Sequence, residues 1–182
     1  QNLSKVVDRL LIGGAMAYTF LKARGEATGK SLVEEDKIEL AKELMASLGD
    51  KLLLPVDHVV AEEFKAEAAN EVVTTIPDGK MALDIGPATV AAYEAAIAAS
   101  KTIIWNGPMG VFELKPFDTG TVAVAKAVAT SGAVSVVGGG DSEKAIKSAG
   151  VSDKITHIST GGGASLEFRS EEHTSELQSH LN

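Results

Sequence analysis

The stretch AVSVVGGGDSEKAIKS, residues 133–148, decides the fold class, because three glycines join a short apolar run to a helical pattern. We predict a strand at 133–137, a glycine loop at 138–140 and a helix at 141–148. A buried strand, a short loop and a helix in this order form the repeating unit of parallel α/β sheets.

The same order recurs on both sides of this stretch. Short apolar strands are predicted at 8–12, 102–105 and 154–158, each ending in a glycine-containing loop at 13–14, 106–110 and 161–163. Helices are predicted to follow at 15–23, at 119–130 and from 164 onward. We therefore expect an α/β fold, a three-layer sandwich with a Rossmann-like parallel sheet and helices on both faces.

The middle of the chain is less regular. We interpret residues 51–54 and 57–61, on either side of Pro55, as one strand and its exit. A polar excursion with a hairpin through residues 72–76 precedes a short strand at 81–85. Pro87 is well placed for the first turn of a helix that ends near residue 100. The clearest amphipathic helix covers residues 34–48.

Composition narrows the classes of protein that remain. The 182 residues suit one domain, and the net charge of −8 makes nucleic acid an unfavourable partner. The absence of cysteine excludes disulfides, a thiol nucleophile and a cysteine-based zinc site. The apolar runs are too short for a membrane span, so we expect a cytoplasmic protein with no membrane partner.

The glycine loops indicate an anion site. They expose backbone N–H groups where a helix begins, and the helix N-terminus adds a partial positive charge. Because these loops follow strands of one parallel sheet, they are expected at its carboxyl edge, where ligands bind in such folds. Close packing of helix on strand also demands glycine. Asp141 suits either a helix cap or a Mg²⁺ ligand beside a polyphosphate, and the spacing leaves both open.

Other chemistry receives little support from the residues. The chain lacks both the Walker-type phosphate loop and the dinucleotide fingerprint, which disfavours a dinucleotide-dependent oxidoreductase. His58 and His157 are interpreted as core or edge residues of strands. The carboxylates of Asp57, Glu62 and Glu63 either act together or mark a solvated strand end.

Several longer motifs occur in one order along the chain. They are LLIGGAMA (10–17), DIGP (84–87), WNGPMGVFE (105–113), GGGDS (138–142) and HISTGGGASLEF (157–168). This set closely resembles the phosphoglycerate kinase family over residues 3–168, and it matches the C-terminal, nucleotide-binding half of that two-domain enzyme. The resemblance thus implies that residues 1–168 are a partial nucleotide-binding domain.

The resemblance also implies a reaction and a site. The family transfers a phosphoryl group reversibly between ATP and 3-phosphoglycerate, giving 1,3-bisphosphoglycerate and ADP in glycolysis and gluconeogenesis, with Mg²⁺. Asp141 is the implied metal ligand, and Glu113 the implied acid at the ribose hydroxyls. Gly140, Gly162 and Gly163 are the implied catalytic positions. The implied nucleotide-binding residues are Gly13, Gly14, Gly86, Asn106, Pro108, Gly110, Val111, Glu113, Gly139, Gly140, Asp141 and Ser142.

The same resemblance implies what this chain lacks. A basic domain that binds 3-phosphoglycerate, and a strand with a phosphate-binding lysine, are expected before residue 1. We therefore expect a chain that is inactive alone and a parent enzyme that is monomeric. The alternative is a nucleotide-binding module without catalysis. Residues 169–182 are expected to be a non-native tail, because RSEEHTSELQS (169–179) matches the translation of a sequencing adapter.

Overall fold

A computed structural model describes residues 5–159 of the chain. The strands are β1 (Leu10–Leu11), β2 (Leu52–Leu53), β3 (His58–Ala61), β4 (Asn70–Val73), β5 (Met81–Ile85), β6 (Thr102–Asn106), β7 (Val134–Gly138) and β8 (His157–Ser159). The helices are α1 (Ala15–Ala23), α2 (Ile38–Leu48), α3 (Pro87–Ala98), α4 (Thr119–Thr130) and α5 (Gly140–Ser148). No helix within residues 5–159 is long and apolar enough to cross a bilayer.

Strands β6, β7 and β8 form a parallel sheet in that order. The register pairs Thr102 with Val134 at one end and Asn106 with Gly138 at the other. Gly138 also pairs with Ser159, so all three strands end side by side at one edge. Helices α3, α4 and α5 pack in sequence beside this sheet, which confirms the predicted α/β class.

Strands β1 and β2 form a second parallel pair, in which Leu10 lies opposite Leu52. Helices α1 and α2 pack against each other, and a small apolar core links α1 and α2 to the first pair of strands. Phe20 and Ala41 are both buried in that core. The first part of the chain therefore repeats the strand-and-helix unit predicted from its sequence.

The prediction of a single strand and its exit around Pro55 is wrong. Strand β2 belongs to the parallel pair, whereas β3 lies between β4 and β5 in an antiparallel sheet. Pro55 has no N–H with which to continue a strand ladder, and the chain changes sheets there. The predicted hairpin near residues 72–76 is instead a strand, Asn70–Val73, that pairs with β3.

The largest apolar core lies where α3, α4 and α5 meet the β6–β8 sheet. It contains Tyr93, Trp105, Val124, Val137 and Ile146, all less than 6% exposed. The Tyr93 hydroxyl also donates a hydrogen bond to the Ile12 carbonyl at 2.5 Å, which ties α3 to the end of β1. This core fixes the strand ends from which the glycine loops leave.

Asp57 matches neither alternative drawn from the sequence. Its carboxylate is only 5% exposed and accepts hydrogen bonds from Ala88 N at 2.9 Å and from Thr89 N at 2.8 Å. The Thr89 hydroxyl adds a third bond at 2.6 Å. Asp57 therefore caps the N-terminus of α3, while Glu62 and Glu63 are exposed at the other end of β3.

The two histidines confirm the structural interpretation. His58 is buried, with its ring centroid 5.9 Å from that of Tyr18, and burial lowers the pKa of its imidazole. His157 is the first residue of β8 and is exposed. Neither lies among the glycine loops.

Replacing Asp57 by Asn should lower the free energy of unfolding by about 1–3 kcal/mol, because the amide offers one acceptor oxygen where three donors converge. Urea unfolding followed by circular dichroism measures the change. The exposed Glu62→Gln is the matched control and should stay within about 0.5 kcal/mol of the wild type. Equal effects of the two substitutions would contradict the capping role.

Candidate functional site

The ends of β6 and β7 bring together the glycine-containing loops at residues 106–110 and 138–140. Gly139 directly follows β7 and has φ +93°, a left-handed conformation that favours glycine. A Cβ atom at this position would lie 2.8 Å from Asn106 Oδ1, at the end of β6. Glycine is therefore required both by the backbone conformation and by the approach of the neighbouring loop.

The end of β8 joins the same edge. The Gly139 N–H donates a hydrogen bond to the Ser159 carbonyl at 3.1 Å. The predicted glycine loop at residues 161–163 follows Ser159 in the sequence and lies outside the described residues. Gly162 and Gly163, two of the predicted catalytic positions, and the predicted boundary at residue 168 lie outside the described residues.

Ser142 holds the two loops in register. Its side chain is 1% exposed, and its hydroxyl accepts a hydrogen bond from Gly107 N at 2.6 Å. The predicted nucleotide-binding serine is thus part of the scaffold between α5 and the loop after β6. The lone pair that faces Gly107 is occupied, whereas the hydroxyl proton is still available to a second partner.

Asp141 lies in the first turn of α5 and points outward. Its side chain is 65% exposed and lies 3.4 Å from Lys144 Nζ, which makes a weak surface ion pair. The residue before the helix is Gly139, so the helix-capping alternative for Asp141 is wrong. The Asp141 carboxylate instead lies exposed to solvent beside the glycine loop.

The donor set around Asp141 fits Mg²⁺ rather than a metal held by protein alone. No group of three His, Cys, Asp or Glu side chains that could hold a metal ion occurs within residues 5–159. Mg²⁺ is usually bound by one or two carboxylates, with phosphate oxygens and waters completing its coordination. A single exposed carboxylate beside a glycine loop at a helix N-terminus matches that pattern.

The loop after β1 packs against the loop after β6. Gly14 N donates to the Met109 carbonyl at 2.9 Å, and a Cβ atom at Gly14 would lie 2.9 Å from the Pro108 carbonyl oxygen. A Cβ atom at Gly13 would overlap Met109 Sδ. We call the resulting surface the glycine edge, formed by residues 13–14, 106–110 and 139–142.

The other predicted residues within 5–159 lie outside this edge. Val111 N donates to the Leu83 carbonyl at 2.8 Å, and its half-buried side chain packs against the core that contains Phe117. Glu113 is exposed in the following turn. Gly86 is buried against Asp57, whose carboxylate a Cβ atom at Gly86 would overlap. The packing of α3 therefore accounts for glycine at position 86.

Thr121, in the first turn of α4, was missed by the sequence analysis. Its buried hydroxyl accepts hydrogen bonds from Met109 N at 3.1 Å and Gly110 N at 3.3 Å, so it fixes the loop after β6. A threonine in a helix rich in alanine and valine gives no signal of this role.

Asp84 belongs to the DIGP motif (84–87), and the resemblance implies no role for it. It is completely buried in β5, and burial raises the pKa of its carboxyl to about 7, with a further contribution from Asp118. The signal was available, because a carboxylate interrupts the apolar run of residues 81–85.

The sequence of this chain is similar to those of proteins from one known family. The family model described as "Phosphoglycerate kinase" matches residues 1–172. Phosphoglycerate kinase of Solibacter usitatus is 74% identical over 168 residues, which cover 92% of this chain and 43% of that protein. The enzyme of Koribacter versatilis is 59% identical over 175 residues, with the same two coverages.

Solved structures give the same result. The structure of phosphoglycerate kinase from Coxiella burnetii superposes with a TM-score of 0.88 at 43% identity, covering 92% of this chain and 44% of that one. The enzyme from Pyrococcus horikoshii gives 0.78 at 33% identity, with the same coverage. This chain spans less than half the length of the relatives it matches. Sequence motifs, fold and relatives agree, and the chain belongs to the phosphoglycerate kinase family.

Proposed function

We propose that this chain is the Mg-ATP- and Mg-ADP-binding half of a phosphoglycerate kinase. The parent protein would transfer a phosphoryl group reversibly between ATP and 3-phosphoglycerate, giving 1,3-bisphosphoglycerate and ADP. The observation that carries the proposal is the glycine edge, where three chain segments present backbone to one place at the carboxyl ends of parallel strands. A monomeric parent in the cytoplasm stays a prediction from the family resemblance.

Backbone groups are suited to hold the phosphates. The Glu143 N–H is bonded to the Gly139 carbonyl, so the N–H groups of residues 140–142 precede the first intrahelical bond of α5. These donors and the helix dipole attract a polyphosphate without a side chain in between. Phosphoryl transfer depends mainly on such positioning and charge stabilisation.

Asp141 is the residue proposed to hold Mg²⁺. When bound, the ion would neutralise part of the polyphosphate charge. The carboxylate of Asp141 is exposed and has one weak partner, Lys144, so it is able to coordinate the ion. Lys144 would then be released to solvent or to a phosphate oxygen.

The remaining assignments follow the family resemblance. Gly13 and Gly14 would face the adenine and ribose, and Asn106, Pro108, Gly110 and Val111 would line the nucleotide cleft. The exposed carboxylate of Glu113 would accept hydrogen bonds from the ribose hydroxyls. Gly86 is assigned a place close to the nucleotide, and Gly162 and Gly163 a place at the transferred group.

Removing the charge of Asp141 tests the site directly. Calorimetric titration of Mg-ADP into Asp141→Asn should show affinity at least about tenfold weaker than the wild type. ADP without Mg²⁺ should bind the variant as well as the wild type or better, because a negative charge has been removed.

Glu143→Gln is the matched control. It removes one negative charge from the same helical turn, where Glu143 pairs with Lys147 at 2.7 Å. Mg-ADP affinity should change by less than about twofold. Equal weakening by both variants would reject the metal role of Asp141, and NAD binding tighter than ADP would reject the kinase assignment.

Crowding the glycine edge should weaken nucleotide binding by more than a loss of stability alone would explain. Gly139→Ala places a methyl group against Asn106, and we expect a loss of about 1–3 kcal/mol in unfolding free energy together with weaker ADP binding. Gly132→Ala is the control, since Gly132 has φ +72° but open space around it. That variant should lose stability and keep its ADP affinity.

The chain alone should not turn over. A coupled assay with ATP and 3-phosphoglycerate should give no ADP above the enzyme-free background, because the family resemblance assigns the 3-phosphoglycerate site to a domain outside this chain. ADP formation that depends on 3-phosphoglycerate would show that the chain is sufficient for catalysis.

A further inference from the structure

Asp84 is a buried carboxylate whose contacts reach the glycine edge. It is 0% exposed, and the ion pairs of residues 5–159 do not include it. Its oxygens accept two backbone hydrogen bonds, from Gly120 N at 2.8 Å and Ile85 N at 2.9 Å. Burying a carboxylate without a cation costs free energy, and the hydrogen bonds that Asp84 accepts are what offset that cost.

The bond to Gly120 fixes the start of α4. Gly120 is the second residue of that helix, and its N–H belongs to the group that has no intrahelical acceptor. A carboxylate at this end also interacts favourably with the helix dipole. Thr121 follows directly, and its hydroxyl binds the backbone N–H groups of Met109 and Gly110.

Asp84 also touches the loop after β6 directly. A Cβ atom at Gly110 would lie 2.5 Å from Asp84 Oδ1, and a Cβ atom at Gly120 would overlap the same oxygen. The carboxyl group is thus enclosed between two glycines, one in the loop and one in α4. The Val111 N–H bond to the Leu83 carbonyl, at 2.8 Å, keeps the loop against β5.

We propose that Asp84 is a positioning residue for the nucleotide site, which holds the first turn of α4 and residues 109–110 so that the glycine edge keeps its binding geometry. The inference rests on the proposed function where it concerns nucleotide. Its structural part, control of the loop by Asp84, stands on the contacts of β5, α4 and residues 109–111.

The charge state of Asp84 gives this role a pH dependence. Burial brings the pKa of the Asp84 carboxyl group to about 7, with a smaller contribution from the charge of Asp118 before α4, and Tyr18 of α1 also interacts electrostatically with this carboxyl group. Each Asp84 carboxylate oxygen accepts one N–H hydrogen bond in the structure. Protonation places a hydrogen on one of these acceptor oxygens and weakens its bond, so the loop should be held best above pH 7. Folding stability has the opposite sign: the raised pKa favours the folded state at low pH, and this contribution is lost as pH rises from about 4 to about 7.

Asp84→Asn in the full 182-residue chain tests the proposal with two readouts at pH 8. Amide hydrogen exchange at Met109 and Gly110 should accelerate by about tenfold, and Mg-ADP affinity should weaken about three- to tenfold. From pH 8 to pH 6 the ratio of wild-type to variant affinity should fall toward one, since Asp84 becomes neutral in the wild type. The titration of ADP itself cancels in this ratio.

Ser135→Ala is the control for general destabilisation. Ser135 is buried near the start of β7, at the opposite end of the strand from the glycine edge, and its hydroxyl accepts a hydrogen bond from Thr156 N at 3.0 Å. This variant should lose stability, keep slow exchange at Met109 and Gly110, and change ADP affinity by less than about twofold.

The outcomes separate the two proposals. Unchanged exchange at Met109 and Gly110 in Asp84→Asn overturns the positioning role, whether or not nucleotide binds. Accelerated exchange in a chain whose wild type does not bind ADP upholds control of the loop and rejects the nucleotide function. If Asp84→Asn does not fold, the wild type replaces it: exchange at these two amides, corrected for intrinsic rates, must accelerate between pH 8 and pH 6.

Discussion

The close approach of backbones at Gly139 and Asn106 is the constraint on which the rest of the site depends. Parallel strands deliver their carboxyl ends to one line, but a side chain at Gly139 or Gly14 would push the loops apart. Once glycine removes that obstacle, the hydrogen bonds of Ser142 to Gly107 and of Gly14 to Met109 fix the spacing. The edge is therefore built by the absence of side chains at its glycines, and it is held by backbone hydrogen bonds together with the hydroxyls of Ser142 and Thr121.

The sequence predicted the parts of the fold that have strong local patterns. The helix Thr119–Thr130 and the strand Met81–Ile85 have the expected bounds, and the parallel order of β6–β8 follows from strand, glycine loop and helix in succession. The antiparallel sheet could not be read in the same way. Pairing of β3 with β4 and β5 depends on contacts between distant segments, and Pro55 marks a break without saying where the chain goes next.

The candidate residues show the same difference between local sequence patterns and contacts across distant segments. Asp141, in the first turn of the helix that follows a glycine loop, is a candidate because its spacing carries a chemical meaning, and its metal role stays a prediction. Asp57, Asp84 and Thr121 were missed or misread because each acts through a partner more than ten positions away. Burial is what gives these polar groups their importance, and burial of a single polar residue is not visible in a local pattern.

The two carboxylate caps have a consequence for how the chain folds. Asp57 bonds to Thr89 across 32 positions, and Asp84 bonds to Gly120 across 36, so neither α3 nor α4 completes its first turn from nearby residues. Each helix gains its N-terminal acceptor only when the antiparallel sheet is already assembled beside it. Formation of α3 and α4 is therefore coupled to long-range contact, which favours a single cooperative folding transition over helices that form early and dock later.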